Sequence, residues 1–88
     1  MPNQRERIES GQSHEIEVFL QEQVDKLCRP YRRQGARYRI YFAAKLRDAA
    51  EAVLQGEIAM ATESAGMTWR EVGELLGVSA QAAHRRYH

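Results

Sequence analysis

Met67-Thr68-Trp69-Arg70-Glu71-Val72-Gly73-Glu74-Leu75-Leu76-Gly77-Val78-Ser79-Ala80-Gln81-Ala82-Ala83-His84-Arg85-Arg86-Tyr87-His88 is the stretch whose local signals decide the fold. Thr68 is a good helix N-cap, and Glu71 is placed to reach back to the cap's amide as a capping box. Met67 before the cap and Val72 four residues after it are set for a hydrophobic staple. Val72, Leu75 and Leu76 fall on one helical stripe. Gly73 sits on the same stripe, where glycine costs about 1 kcal/mol against alanine, so close approach by another helix is expected there. Gly77 supplies the left-handed residue that ends the helix. Val78 is expected to fill the corner, and Ser79 to cap a second helix. In that helix Ala83 and Tyr87 face inward, while Ala80, Gln81, His84, Arg85 and His88 face out. Two short helices at a tight turn follow, the second with a polar and basic outer face.

The segment before it, 36–65, reads two ways. Tyr38-Arg39-Ile40-Tyr41-Phe42 alternates well enough for a short strand. Yet Tyr38, Phe42, Leu46, Ala49 and Val53 keep helical spacing, and the alanine-rich run 43–54 is strongly helix-forming. A long helix is therefore expected, with Gly56 the place where it can kink and Gly66 its terminating glycine. Leu54, Ile58 and Ala61 of that helix should meet Val72, Leu76, Val78 and Tyr87 in a three-helix core. Further back, Ile16, Phe19, Leu20, Val24 and Leu27 form the stripe of an amphipathic helix from about Ser13 to Leu27. Arg29-Pro30 ends it, because proline disfavours helix at the residue before it. Pro30 to Gly35 is then a short connection. The polar residues 1–12 are expected to be a disordered tail. The fold class is thus all-α, a single helical domain over 13–88. Its 13–53 part serves packing or dimerisation, and its 54–88 part carries the two-helix segment.

Composition narrows the function. The chain has 88 residues, one domain small enough that self-association would help it. A single Cys28 excludes an internal disulfide framework, and no Cys/His cluster has zinc-finger spacing. Cys28 reads as a small apolar residue near a helix end. No apolar run is long enough for a signal peptide or membrane span, so a cytoplasmic protein is expected. Net charge is only +1, but it is segregated. Residues 1–28 carry three basic and six acidic residues, 29–47 seven basic and none acidic, 48–76 one basic and six acidic, and 77–88 two basic and none acidic. Such segregation gives a surface with one positive and one negative face. Eleven of the thirteen basic residues are Arg, which suits phosphate and guanine recognition or reflects a GC-rich genome. No Ser/His/Asp arrangement or glycine-rich phosphate loop is present. His84 and His88 are four apart but lack the glutamate of the zinc-protease motif. No enzyme, metal or cofactor is expected.

The pattern Thr-x-x-Glu-Val-Gly-x-x-Leu-Gly-Val-Ser-x-x-x-Ala-x-x-x-Tyr, Thr68 to Tyr87, resembles the helix-turn-helix of bacterial regulators. It is most similar to sigma-factor region 4, resolvase-type and response-regulator DNA-binding domains, over about a quarter of the chain. Those families usually carry Val, Ile or Thr where this sequence has Ala82 and Ala83, so the inward face is slimmer here. The resemblance implies a sequence-specific double-stranded DNA-binding protein, a small homodimeric transcriptional regulator with helix 79–88 in the major groove. A protein-interaction adaptor (for RNA polymerase or a partner regulator) and a plasmid or phage partition or control protein are the alternatives. Gln81 suits adenine N6 and N7, Arg85 suits guanine O6 and N7, and His84 a base or a phosphate. The helix ends at Thr68 and Ser79 suit phosphate oxygens, and Arg70 and Arg86 read as backbone clamps. Trp69 either covers the core or donates to a phosphate. Arg32, Arg33, Arg37 and Arg39 either grip flanking DNA backbone or form a solvated basic face. Phe19, Leu20, Tyr38, Tyr41 and Phe42 either pack the first two helices together within one chain or pair two copies. With the motif at the end of the sequence, the N-terminal helices are expected to supply any dimer contact. A twofold dimer would address half-sites one DNA turn, roughly 34 Å, apart.

Overall fold

A computed structural model describes residues 4–88, with side chains from Gln12 onward. It contains four α-helices: α1 (Gln4–Cys28), α2 (Gly35–Glu63), α3 (Trp69–Leu76) and α4 (Ala80–Tyr87). A 3-10 segment, Arg29–Gln34, joins α1 to α2. No strand occurs among the described residues, so the chain is all-α. Contacts gather into two compact units, one up to Arg47 and one from Asp48 to His88, divided within α2.

In the first unit α1 begins at Gln4 instead of near Ser13 and takes in most of the expected tail. Gln, Arg and Glu, good helix formers, fill most of residues 4–12, so a helix once nucleated propagates through them and past Ser10 and Gly11 without an apolar face. The first three residues of that expected tail lie outside the described ones. Of the stripe read along α1, Val24 is buried but Ile16, Phe19, Leu20 and Leu27 are exposed. The chain's own contacts fall on a different side of the helix, where Val24 and Cys28 are buried and Asp25 meets Arg39 at 2.8 Å. Cys28 thus takes the small-apolar role expected of it. The connection is more ordered than a loop. Pro30 lies in the first turn of the 3-10 segment, Tyr31 departs from helical angles (φ −116°, ψ 26°), and the Gly35 amide donates to the Arg32 carbonyl. The Tyr31 ring then stacks on Tyr38 at 4.2 Å, with Tyr41 and Phe42 beside them.

Residues 38–42 are helical, so the alternation that suggested a strand is incidental. The 38, 42, 46 spacing won because the following alanines favour helix strongly. α2 also passes through Gly56 unbroken, needing no kink there. It closes with the Met67 amide donating to the Ala61 carbonyl at 3.0 Å, around a left-handed Gly66 (φ 72°).

In the second unit Ile58, Val72 and Ala83 form the buried core, one residue each from α2, α3 and α4. Leu54, Met67, Trp69, Leu76 and Tyr87 pack around it. Two expected core members, Ala61 and Val78, are not among them, and Leu75 of the expected α3 stripe faces solvent. Leu75 is 71% exposed and Val78 47% exposed. On α3 the buried arc runs through Trp69, Val72, Gly73 and Leu76, and at about 3.6 residues per turn Leu75 falls outside it. Val78 stays in solvent because the turn is closed by its backbone amide instead of its side chain.

Candidate nucleic-acid interface

Local chemistry fixes α3 and α4 at both sides of the turn. Thr68 is extended (φ −85°, ψ 156°); its hydroxyl accepts from the Glu71 amide at 3.2 Å, and the Glu71 carboxylate accepts from the Thr68 amide at 3.1 Å. The capping box read from the sequence is therefore complete. At the far end Gly77 is left-handed (φ 72°, ψ 30°). Its amide donates to the Glu74 carbonyl at 3.4 Å, and that of Val78 to the Gly73 carbonyl at 2.9 Å. This pair of bonds is the Schellman closure, which satisfies carbonyls the helix end would otherwise leave open. A Cβ on Gly73 would lie 2.6 Å from the Val78 carbonyl oxygen. The close approach at Gly73 is thus made by the backbone of its own turn, and not by another helix. Ser79 then caps α4, its hydroxyl accepting from the Ala82 amide at 3.1 Å.

So held, α4 turns Ala83 inward (1% exposed) and leaves Gln81, His84, Arg85 and His88 exposed. Trp69, Ala80, Gln81, His84 and Arg85 line one open concavity. Trp69 serves two purposes: it packs against the core, and it forms a wall of this concavity, with His84 edge-on at 5.1 Å. The His84 and His88 rings stack at 4.4 Å. Among the described residues no three His, Cys, Asp or Glu side chains are grouped to hold a metal ion.

The expected site residues separate into those this surface gathers and those engaged elsewhere. Gln81, His84 and Arg85 come together, and α4 carries no acidic residue. Arg85 makes no ion pair among the described residues. Thr68 and Ser79 spend their hydroxyls as caps, and the Glu71 carboxylate already occupies the start of α3. The start of α4 carries no such acid. Arg70 lies 3.7 Å from Glu74 along α3. Arg86 points away from the concavity, toward Glu51 of α2 at 3.5 Å. Partial burial, and then a hydrogen bond to Glu51, hold the Tyr87 phenol above its ordinary range. The Arg86–Glu51 pair links the end of α4 to α2. In the other unit Arg32, Arg33 and Arg37 are exposed, while Arg39 is bridged to Asp25.

Trp69, expected either to cover the core or to meet a phosphate, packs against the core. Its spacing from Val72 and Leu76, three and seven residues, carried the signal that places it on the edge of the buried arc. Among the described residues, no helix is long and apolar enough to cross a membrane. Compared with protein-family models, curated proteins and solved structures, the chain matches none of them.

Proposed function

We propose that the chain is a sequence-specific double-stranded DNA-binding protein, a regulator of transcription that lays α4 in the major groove. In this reading α3, the Gly77-Val78-Ser79 turn and α4 act as a helix-turn-helix. The observation that carries it is the outer face of α4: Gln81, His84 and Arg85 exposed together, without an acidic neighbour on the helix, on a segment capped at both helix starts. An eight-residue helix is about 12 Å long and, with side chains, roughly 10–12 Å across, a size the major groove, about 12 Å wide, admits. Rigid caps matter because a base contact needs a side chain held in one place.

Within that docking Gln81, in the first turn of α4, reaches adenine N6 and N7, and Arg85, one turn on, reaches guanine O6 and N7. His84 between them donates to a base or to a phosphate. The amides at the Ser79 end suit a phosphate oxygen better than those at Thr68, where the Glu71 carboxylate would repel it. Arg70 is a backbone contact if it leaves Glu74, a small cost for so exposed a pair.

Fluorescence anisotropy with a labelled duplex tests this. Affinity should fall steeply as salt rises from about 50 to about 200 mM, because phosphate contacts release counterions. Arg85→Ala should cost about 1–3 kcal/mol on the preferred duplex and relax discrimination at one base pair. Absence of duplex binding at low salt, or Arg85→Ala binding as tightly as the wild type, would overturn the proposal. Salt-insensitive capture of a protein partner in its place would favour an adaptor.

A further inference from the structure

We infer that the unit up to Arg47 pairs with a second copy of this chain, α1 of each copy lying along the first half of α2 of the other. The inference stands apart from the DNA reading, since it uses none of the residues of α3 or α4.

Its first support is unburied apolar surface. Among described hydrophobic residues of this unit, Val24 and Cys28 are buried, while Ile16, Val18, Phe19, Leu20 and Leu27 on α1, Tyr31 in the 3-10 segment and Ile40 and Tyr41 on α2 stand exposed. At about 3.6 residues per turn, Ile16, Phe19, Leu20 and Leu27 fall on a single stripe of α1. Val24, Cys28 and Asp25 lie to one side of that stripe, and they are the residues its own chain engages. The intrachain packing therefore takes one side of α1 and leaves its most apolar side open. An apolar stripe this long, in a unit with so small a core of its own, marks an interaction surface.

The second support is charge complementarity, which names the occupant. The open stripe of α1 is flanked by exposed Glu15 and Glu22, seven residues and so about 10.5 Å apart along the axis. On α2, Arg37, Tyr41 and Lys45 run down one flank of the Tyr38–Phe42–Leu46 stripe, and Arg37 and Lys45 are eight residues, about 12 Å, apart. The acidic pair and the basic pair thus have nearly the same span, each beside an apolar stripe. Asp25 to Arg39 at 2.8 Å already pairs acidic α1 with basic α2 inside one chain. A second copy offers the same two surfaces in return, so a twofold exchange satisfies both at once. Nucleic acid on the basic block would neutralise the arginines but leave Ile16, Phe19 and Leu20 in water, so the second copy is the better occupant.

Sedimentation of the full chain at micromolar concentration, with circular dichroism to confirm helicity, tests this. The wild type should sediment at twice the 10.1 kDa chain mass. The doubly substituted Glu15→Lys/Glu22→Lys and Arg37→Glu/Lys45→Glu proteins should each be monomeric alone and return to the dimer mass when mixed in equal amounts. A monomeric wild type would overturn the inference, even where a variant does not fold. Two variants that remain dimers would overturn it as well, as would helical monomers that fail to combine. A dimeric Arg37→Glu/Lys45→Glu that instead loses duplex DNA would assign the basic block to nucleic acid.

Discussion

From Asp48 to His88, parts of three helices converge on Ile58, Val72 and Ala83, whereas up to Arg47 a comparable length of chain buries Val24 and Cys28 and leaves a row of large apolar side chains in solvent. Both stretches are helical, so helix propensity does not distinguish them. What differs is the supply of stops and small residues. The second unit has Thr68, Gly77 and Ser79 to end and restart helices, and Gly73 and Ala83 to let backbones approach. A short chain can then fold back and close a core by itself. α1 runs through its Gly11 and Ser13 without turning and ends only at Cys28, before Pro30, and a long helix cannot cover its own apolar stripe. One unit is completed by its own turns; the other has the form of a surface that needs a partner.

The sharpest way to break this contrast is to remove one apolar side chain from each unit. Ile58→Ala should lower the free energy of unfolding by about 2–5 kcal/mol, as buried truncations do. Phe19→Ala, at concentrations where the chain is monomeric, should stay within about 0.5 kcal/mol, as exposed substitutions do. Urea unfolding of both variants measures it, and equal costs would erase the distinction. Glycine substitutions come next in size and should differ in sign. Gly73→Ala drives a methyl into the Val78 carbonyl and should destabilise by about 1–3 kcal/mol. Gly56→Ala meets nothing within 4 Å on an unbroken helix and should stabilise by about 0.5–1 kcal/mol. Thermal melts that moved both variants the same way would contradict the packing described at the turn. Smallest are the caps: Thr68→Ala and Ser79→Ala should each cost about 1 kcal/mol, read as a modest drop in melting temperature. No loss in either would mean that the turn is held by the core alone.

How much of this could be read from the residues depends on how local the cause is. Thr68, Glu71, Gly77 and Ser79 act within a few residues of themselves, and each takes in the structure the role its type and spacing imply. The inward Ala83 and Tyr87 were legible for the same reason, through helical periodicity. Leu75, Val78 and Arg86 were not. Whether Leu75 or Trp69 completes the buried arc depends on where α2 meets α3, and no spacing within α3 states that. Arg86 is drawn to Glu51, thirty-five positions away, a pairing invisible to any local pattern. Gly73 signalled a close neighbour correctly but could not say that the neighbour was its own turn. The early start of α1 escaped for the opposite reason, since polar helix formers carry no stripe by which to recognise them.

Whether α4 reads base pairs is decided by selecting bound duplexes from a random DNA pool with the wild type and with Arg85→Ala. The wild type should enrich one sequence, and Arg85→Ala should lose preference at one guanine-bearing position. A pool that stays random with the wild-type protein, or the same enriched sequence from both proteins, would contradict it.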